Sequence, residues 1–364
     1  MIISTLRDGS NWLPGYVWSS VLKRLQRKTP ENVYFCICDH YEPYFGNADS
    51  LTARQRINDW IRFYPENVEG IWDAEGRNFR YSFFYPVEEY QKGDMAILAE
   101  FCQQGFGEVE IHLHHDNDTS ANLRRTLIDF KRTLHEEHGL LSKNKLTGEL
   151  SYAFIHGNWA LDNSRRDGRW CGVNDEITIL KETGCYADFT MPSAPSETQT
   201  RKINSIYYAV DDPQRPKSHD WGEDAQLGKK GEGLLMVQGP LGLNWGSRKY
   251  GLFPRLENGG LYPKIPVTKD RVSSWFKESV HVKGRPGSVF IKLYNHSAYE
   301  EMSGVFLKKG GLRELLTMVS DYCASEGSAL HFVTARELTN VICAIEDNVD
   351  NHATSFDYRF ELTT

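Results

Sequence analysis

Residues 33–40 read VYFCICDH, a run of six apolar residues that ends in an aspartate and a histidine. An apolar run of this length is typical of a strand covered on both faces, as in parallel sheets packed between helices. In parallel α/β folds, functional groups gather at the carboxyl ends of the strands. Asp39 and His40 are therefore candidate functional residues. The simpler alternative is a turn-forming aspartate beside a surface histidine.

Short apolar runs alternate with longer amphipathic stretches along most of the chain. This alternation predicts an α/β fold with a parallel sheet, closed into a distorted (β/α) barrel when about seven or eight units are present. We expect a single domain over residues 1–364. Residues 192–270 are rich in proline, glycine and charge, so we expect long loop insertions there. The predicted strands are residues 33–38, 79–85, 109–114, 151–156, 186–190, 205–209, 234–238, 288–293 and 330–333, and the predicted helices are residues 52–64, 87–104, 120–137, 175–182, 312–325 and 335–345.

The 364-residue chain has a formal net charge of −7, and its lysines and arginines are scattered. This balance argues against a protein that binds nucleic acid through its phosphates. No stretch reaches the roughly 18 apolar residues of a membrane span, and the N-terminus does not resemble a secretory signal. The seven cysteines are irregularly spaced and indicate neither a disulfide framework nor a zinc knuckle. We expect a cytoplasmic protein, and the sequence leaves its oligomeric state open.

Residues 111–118 read IHLHHDND and contain three histidines and two aspartates. On a strand, His112 and His114 lie on one face and His115 on the other. A loop after the strand can bring Asp118 back toward His114. Imidazole and carboxylate groups suit Zn²⁺ or a harder divalent cation, in a site that keeps one position open for water. The pattern predicts a metal site, and a solvated histidine-rich loop is the alternative.

Two polar segments are candidate substrate contacts. The predicted strand at residues 151–156 is followed by Asn158, Trp159 and Asp162. An indole face with hydrogen-bonding neighbours suits the apolar face of a sugar ring, although Trp159 as a core residue is the alternative. His219 and Asp220 form a polar pair within the long loops. They are candidate substrate contacts or second-layer groups, or they reflect only the polarity of a loop.

His296 follows the predicted strand at residues 288–293. A histidine at a strand end can act as a general acid, because its pKa lies near working pH. A lone histidine in this position is more often structural. From the residues alone, both roles stay open.

Taken in order, these segments resemble the polysaccharide deacetylase superfamily, also called the NodB-homology or carbohydrate esterase family 4. In that family a strand ends in two aspartates, the first a catalytic base and the second a metal ligand. Residues 33–43, VYFCICDHYEP, are similar. The resemblance places Asp39 in the base position and His40 in that of the metal-binding aspartate.

Two further motifs of the family have counterparts. Its His-Ser/Thr-x-x-His/Asn/Asp motif is similar to residues 110–118, which puts His114 and Asp118 on the metal. Its strand ending in Leu-x-His is similar to residues 288–298, which makes His296 the general acid.

The resemblance covers residues 30–345 and is nearer to a branch of the superfamily found with bacterial surface-polysaccharide genes. It rests there on GNWALDNSRRDGRWCGVNDE (residues 157–176), FTMPSAPSETQT (189–200) and KSHDWG (217–222). The family's Arg-Pro motif is absent. The stand-ins that the sequence offers are Arg165, Arg166 and Arg169.

The resemblance implies a barrel of NodB type and a metal-dependent hydrolase that deacetylates an N-acetylated sugar of a surface polysaccharide or its precursor. The implied metal ligands are His40, His114 and Asp118. Zn²⁺ is the first choice of metal, with Co²⁺, Mn²⁺ and Ni²⁺ as alternatives. The implied catalytic residues are Asp39 and His296. The implied substrate contacts are Asn158, Trp159, Asp162, His219 and Asp220.

Two other interpretations stay open. His112 and His114 form a His-x-His pair of the kind used by amidohydrolase and phosphoesterase barrels, although those families usually place it on the first strand. The second interpretation is a catalytically inactive homologue that keeps a carbohydrate-binding pocket. It predicts sugar binding without metal-dependent turnover.

Overall fold

The computed structural model of the protein describes residues 12–17, 19, 29–349, 351 and 354–363. None of the helices in this part of the chain combines the length and hydropathy needed to cross a bilayer. The strands are β1 (Asn32–His40), β2 (Tyr81–Pro86), β3 (Gly107–Leu113), β4 (Ser142–Asn144), β5 (Leu150–His156), β6 (Cys185–Asp188), β7 (Ile206–Ala209), β8 (Glu223–Asp224), β9 (Leu234–Val237), β10 (Gly242–Lys249), β11 (Phe253–Glu257), β12 (Ser288–Asn295), β13 (Ala329–Phe332) and β14 (Phe360–Leu362). The main helices are α1 (Ser50–Val68), α2 (Lys92–Phe101), α3 (Ser120–His138), α4 (Glu176–Glu182), α5 (Lys269–Glu278), α6 (Glu300–Ser303), α7 (Gly311–Glu326) and α8 (Ala335–Glu346).

The central sheet has the strand order β12–β1–β2–β3–β5–β6–β9–β7–β8, and β13 pairs with β1 as well. Pairing is parallel from β12 through to β9, whereas β7 and β8 are antiparallel. The predicted α/β fold with a mostly parallel sheet is therefore confirmed. The sheet is not closed, because no strand pairing joins its two edges, β12 and β8, within the described residues.

The alternation of side chains along the strands divides the interior into two layers. On β1, Phe35 and Ile37 face a core that includes Trp60 of α1, whereas Cys36 and Cys38 face a second core. Helix α8 packs into this second core, and nearly all of its residues are buried. Both faces of β1 are covered, which explains its continuous apolar sequence.

A buried lysine connects parts of the sheet that are not paired as strands. Lys292 of β12 is 1 % exposed, and its ammonium group donates to the carbonyl oxygens of Phe189 (2.6 Å) and Met191 (2.7 Å), just after β6. Burial lowers the pKa of this lysine. Gly239 lies so close to the Lys292 carbonyl that a Cβ would be 2.3 Å from its oxygen. The segment after β9 can therefore pass β12 only with glycine at this position.

Each predicted strand and helix has an observed counterpart, but β4, β8, β10, β11, β14, α5 and α6 were not predicted. The helix expected over residues 87–104 is shorter, because residues 87–89 form a separate 3₁₀ turn and α2 begins at Lys92. Helix α5 was not predicted; Thr268 caps it by accepting a hydrogen bond from the Arg271 amide. The loop-rich segment at residues 192–270 contributes β7, β8 and β9 to the central sheet, and β10 and β11 form a separate hairpin.

We expect Lys292→Met to lower the free energy of unfolding by about 2–4 kcal/mol, because two buried carbonyl groups lose their donor. Urea unfolding followed by circular dichroism measures this change. Lys264→Met is the control, since that side chain is 86 % exposed and should change stability by less than about 0.5 kcal/mol. Equal effects of the two substitutions would contradict the proposed role of Lys292.

Candidate metal centre

Five polar side chains converge where three parallel strands end. His40 is the last residue of β1, His112 lies near the end of β3, and His296 directly follows β12. The strand ends lie close together in register, because His40 pairs with Phe84 of β2, and Pro86, two residues further along the same strand, pairs with His112. Glu42 and His114 follow in the loops after β1 and β3. We call these five residues, listed together, the histidine cluster: His40, Glu42, His112, His114 and His296.

Glu42 is at the centre of this cluster. Its Oε1 atom lies 3.1 Å from Nε2 of His112, 3.6 Å from Nε2 of His114 and 4.0 Å from Nε2 of His296. The His40 ring stacks on that of His296 at a centroid distance of 4.4 Å. Two sets of three ligand atoms, each within 4.8 Å of one another, share Glu42: one includes His40 and His296, the other His112 and His114.

Hydrogen bonds to Nδ1 determine the tautomers of His112 and His114. In the neutral ring, a proton on Nδ1 leaves a lone pair on Nε2, the nitrogen that faces Glu42. Nδ1 of His112 is 3.1 Å from the carbonyl oxygen of Ile155, and a carbonyl only accepts, so this nitrogen carries the proton. Nδ1 of His114 bonds in the same way to the Glu88 carboxylate. In the neutral rings, both Nε2 lone pairs therefore point at Glu42. This arrangement is repulsive unless a proton or a cation lies between the groups.

Burial and neighbouring imidazoles lower the pKa of His40 well below its ordinary value. Burial likewise lowers the pKa of His296. Although burial opposes it, a hydrogen bond with His112, which requires a proton on Nε2 of that ring, lowers the pKa of Glu42. Nδ1 of His40 is buried and has no hydrogen-bond partner. Although burial opposes it, the hydrogen bond with Glu88 raises the pKa of His114. The cluster thus combines a carboxylate with four imidazoles, and the neutral form is favoured for His40 and His296. Carboxylate and imidazole groups are a donor set for a divalent cation.

Gly157 makes room for the His114 ring. A Cβ at this position would be 2.3 Å from Cδ2 of His114. The Gly157 amide also donates to the Leu113 carbonyl at 2.8 Å. The loop after β5 therefore packs directly against the His114 imidazole, and only glycine at position 157 allows this close approach.

Asp39, the predicted base, lies on the opposite face of β1 from His40. Its carboxylate accepts hydrogen bonds from the amide (2.9 Å) and the hydroxyl of Ser297. Burial raises its pKa to about 7. Asp39 therefore supports the turn after His296 and is directed away from the histidine cluster.

Asp118, the third predicted ligand, is separated from His40 and His114. Its Oδ2 atom is 3.0 Å from Nδ1 of His115, and it belongs to neither ligand set of the histidine cluster. His115 faces a second group of residues that we call the buried cluster, which consists of His115, His156, Cys171 and Glu176. The prediction grouped Asp118 with His114. In the structure, the consecutive residues His114 and His115 belong to different clusters, and Asp118 contacts His115.

Trp159, one of the predicted substrate residues, lies beside the histidine cluster. The Trp159 ring is 5.9 Å from the His40 ring and 6.1 Å from the His296 ring. Trp159 has a φ of 54°, in the left-handed region, which is unusual for a bulky residue and directs the indole to this position. Asn158 precedes it and donates its amide to Nδ1 of His156. An aromatic side chain therefore lies next to the cluster, and its contact with a sugar stays a prediction.

The other three predicted contacts are engaged within the loops. Asp162 is buried and accepts from the amide of Ser218 at 2.6 Å, and burial raises its pKa to about 9. The His219 ring is buried and lies 3.4 Å from the Thr198 carbonyl, and Asp220 accepts from the Arg201 amide. These residues hold the loop together rather than line an open pocket.

The predicted stand-ins for the Arg-Pro motif pair locally. Arg165 and Arg169 both bind Asp167, and Arg166 pairs with Glu197. The sequence prediction missed Glu42, the group that organises the cluster. Its signal was the spacing His40-x-Glu42, which places two ligand types on one side of an extended chain.

No model of a known protein family matches this sequence, and no curated protein matches it either. The resemblance to the polysaccharide deacetylases therefore stays a prediction from the motifs.

We expect Gly157→Ala to displace the His114 ring and to lower the free energy of unfolding by about 1–3 kcal/mol, the usual cost of overpacking. Urea unfolding measures the loss, and the shift of the His114 ring resonances reports the displacement. Gly304→Ala is the control, because a Cβ there meets nothing within 4 Å. An unchanged His114 resonance in Gly157→Ala would show that the ring does not rest on this glycine.

Proposed function

We propose that this protein is a metal-dependent hydrolase whose metal is bound at the histidine cluster. The observation that supports this most strongly is the convergence of the Nε2 atoms of His112 and His114 on one oxygen of the Glu42 carboxylate. Ligand bonds of about 2.0–2.2 Å in a tetrahedral zinc site place neighbouring ligand atoms about 3.3 Å apart. The distances from Glu42 to His112 and His114, 3.1 and 3.6 Å, bracket this value.

The ligand types favour Zn²⁺, with Co²⁺, Mn²⁺ and Ni²⁺ as alternatives, because the cluster offers imidazoles and a carboxylate without a thiolate. Such an ion, when bound, lowers the pKa of water and polarises a carbonyl oxygen. The His114 and His296 side chains are 31 % and 27 % exposed, whereas that of His112 is fully buried. Substrate would therefore approach from the side of His114 and His296.

Within this proposal the substrate is an N-acetylated sugar of a surface polysaccharide or its precursor. The motif resemblance supports this class, and the Trp159 face beside the cluster suits a sugar ring. Asp39 is directed toward Ser297, so we assign the role of base to Oε2 of Glu42, the carboxylate oxygen that a metal bound to Oε1 would leave free. Oε2 of Glu42 takes a proton from water as the water oxygen attacks the acetyl carbon. His296, whose Nε2 lies 4.0 Å from the Glu42 carboxylate, receives this proton from Glu42 and passes it to the amine as the carbon–nitrogen bond breaks. Acetate and the free amine then leave.

A second hydrolase class deserves the same test, because the structure brings His112 and His114 together on one carboxylate. A His-x-His pair of this kind also suits an amidohydrolase or phosphoesterase. The classes differ in product. The deacetylase releases acetate, an amidohydrolase releases an amine from a different amide, and a phosphoesterase releases inorganic phosphate. An inactive carbohydrate-binding homologue would bind sugar beside Trp159 and release none of these.

Metal binding should depend on the centre of the cluster. We expect His112→Ala and Glu42→Gln each to weaken Zn²⁺ binding at this site by at least about 10-fold, because each removes a ligand. Competition with a chromogenic chelator measures the affinity. His281→Ala is the matched control, because His281 bonds to Ser279 outside the cluster. Unchanged affinity in both cluster variants would contradict the proposed site.

Hydrolysis should require the same residues. With added Zn²⁺, Co²⁺, Mn²⁺ or Ni²⁺, the protein should release acetate from a panel of N-acetylated oligosaccharides, and a chelator should stop the release.

Trp159→Ala should raise KM more than it lowers kcat, since the indole contacts the sugar rather than the acetyl group. Phosphate release from a parallel panel of phosphate esters, without acetate release from the sugars, would favour the phosphoesterase class. Tight sugar binding without any product would favour the inactive homologue.

A further inference from the structure

The buried cluster brings four metal-binding side chains together behind the histidine cluster. His115 follows β3, His156 is the last residue of β5, Cys171 lies in the loop after β5, and Glu176 begins α4. Oε1 of Glu176 is 3.3 Å from Nε2 of His115 and 3.9 Å from Nε2 of His156. Its Oε2 atom is 3.2 Å from Sγ of Cys171. All four ligand atoms lie within 4.8 Å of one another, and His156 and Glu176 are fully buried.

Surrounding groups orient these side chains toward a common point. Asp118 binds Nδ1 of His115, which leaves Nε2 directed at Glu176 and matches the carboxylate–histidine pairing found around metal sites. The Asn163 amide is 3.3 Å from Sγ of Cys171, a donor that stabilises a thiolate. Nε2 of His156 is buried, points into the cluster and has no hydrogen-bond partner. An unpartnered buried nitrogen of this kind is costly unless a ligand completes it.

We propose that the buried cluster is a second metal site, a closed structural Zn²⁺ site with Cys171, His115, His156 and Glu176 as its four ligands. Two histidines, a thiolate and a carboxylate are donors that Zn²⁺ accepts, and four protein ligands leave no position for water. Asp118 then acts on the metal through His115 and not as a ligand. This proposal is independent of the hydrolase proposed above.

The alternative is a metal-free network of hydrogen bonds. Without a metal, Glu176 and Asp118 raise the pKa of His115 to about 12 against the effect of burial, and burial raises the pKa of the Cys171 thiol to about 12. The Asn158 amide also contacts Nδ1 of His156 at 3.3 Å, which places that ring's proton on Nε2. Metal binding would release the Cys171 and His115 Nε2 protons to solvent. It would also move the His156 proton to Nδ1, which breaks the hydrogen bond from the Asn158 amide to that nitrogen.

The site would fix the loop that positions Trp159. The Asp118 amide donates to the Cys171 carbonyl at 3.0 Å. Gly172, with a φ of 99°, passes so close that a Cβ would be 2.7 Å from the Asp118 nitrogen. The loop at residues 157–175 is thus held at both ends by ligands, His156 before it and Glu176 after it.

Loading with Co²⁺ tests this site directly, because the histidine cluster contains no cysteine. A thiolate bound to Co²⁺ gives a near-ultraviolet charge-transfer band that imidazole and carboxylate ligands do not give. We expect this band in the wild-type protein and in His112→Ala, and its loss in Cys171→Ser. Cys185→Ser is the matched control, because Cys185 is equally buried but bonds to the Ala187 carbonyl, and it should keep the band. Metal content should fall from about two equivalents per chain to about one in both Cys171→Ser and His112→Ala.

Wild-type protein that binds Co²⁺ without a thiolate band would overturn the proposal, and this measurement does not depend on the folding of any variant. A band that persists in Cys171→Ser would also overturn it. A wild-type band with one equivalent of metal, unchanged in His112→Ala, would support the buried site while contradicting the hydrolase site. The two proposals therefore fail separately.

Discussion

The Glu42 carboxylate, surrounded by imidazoles at the ends of the parallel strands, is the interaction on which the site depends. Removing an ionised carboxylate from water costs several kcal/mol unless partners compensate for the lost hydration. Its neighbours here are His112, His114 and His296, and the first two direct lone pairs at it in their neutral form. A divalent cation satisfies all of these groups together, whereas added protons would place positive charges next to one another. This contrast is the reason that we propose a metal site here and not an ion-paired network.

The fold meets this requirement by bringing distant segments to one edge. Because β12, β1, β2 and β3 are adjacent and parallel, residues far apart in sequence lie close together where these strands end. The opposite end of β3 is anchored by Glu108, which forms a buried bidentate pair with Arg336 of α8 at 2.8 and 2.9 Å. Lys292 ties β12 to the segment after β6. The open sheet thus has fixed strand ends without a continuous barrel of backbone hydrogen bonds.

Much of the fold could be predicted from the sequence, because buried parallel strands have continuous apolar runs and the helices between them are amphipathic. The positions of His40, His112, His114 and His296 at strand ends followed from the same pattern. Which side chains contact one another could not be predicted, since these contacts depend on how the chain turns after each strand. Asn117, with a φ of 50°, lies in the left-handed region just before Asp118, and this turn leads to the contact of Asp118 with His115 and not with His114. A four-residue spacing in the sequence cannot distinguish these outcomes.

The most direct test of the central claim is a crystal structure of the zinc-loaded protein with anomalous data at the zinc edge. The account predicts an anomalous peak between Oε1 of Glu42 and the Nε2 atoms of His112 and His114, at about 2.0–2.2 Å from each. An anomalous map without a peak there, with His112 and Glu42 in direct hydrogen-bonded contact, would contradict it. The histidine cluster would then be an ion-paired network, and the hydrolase proposal would lose its metal.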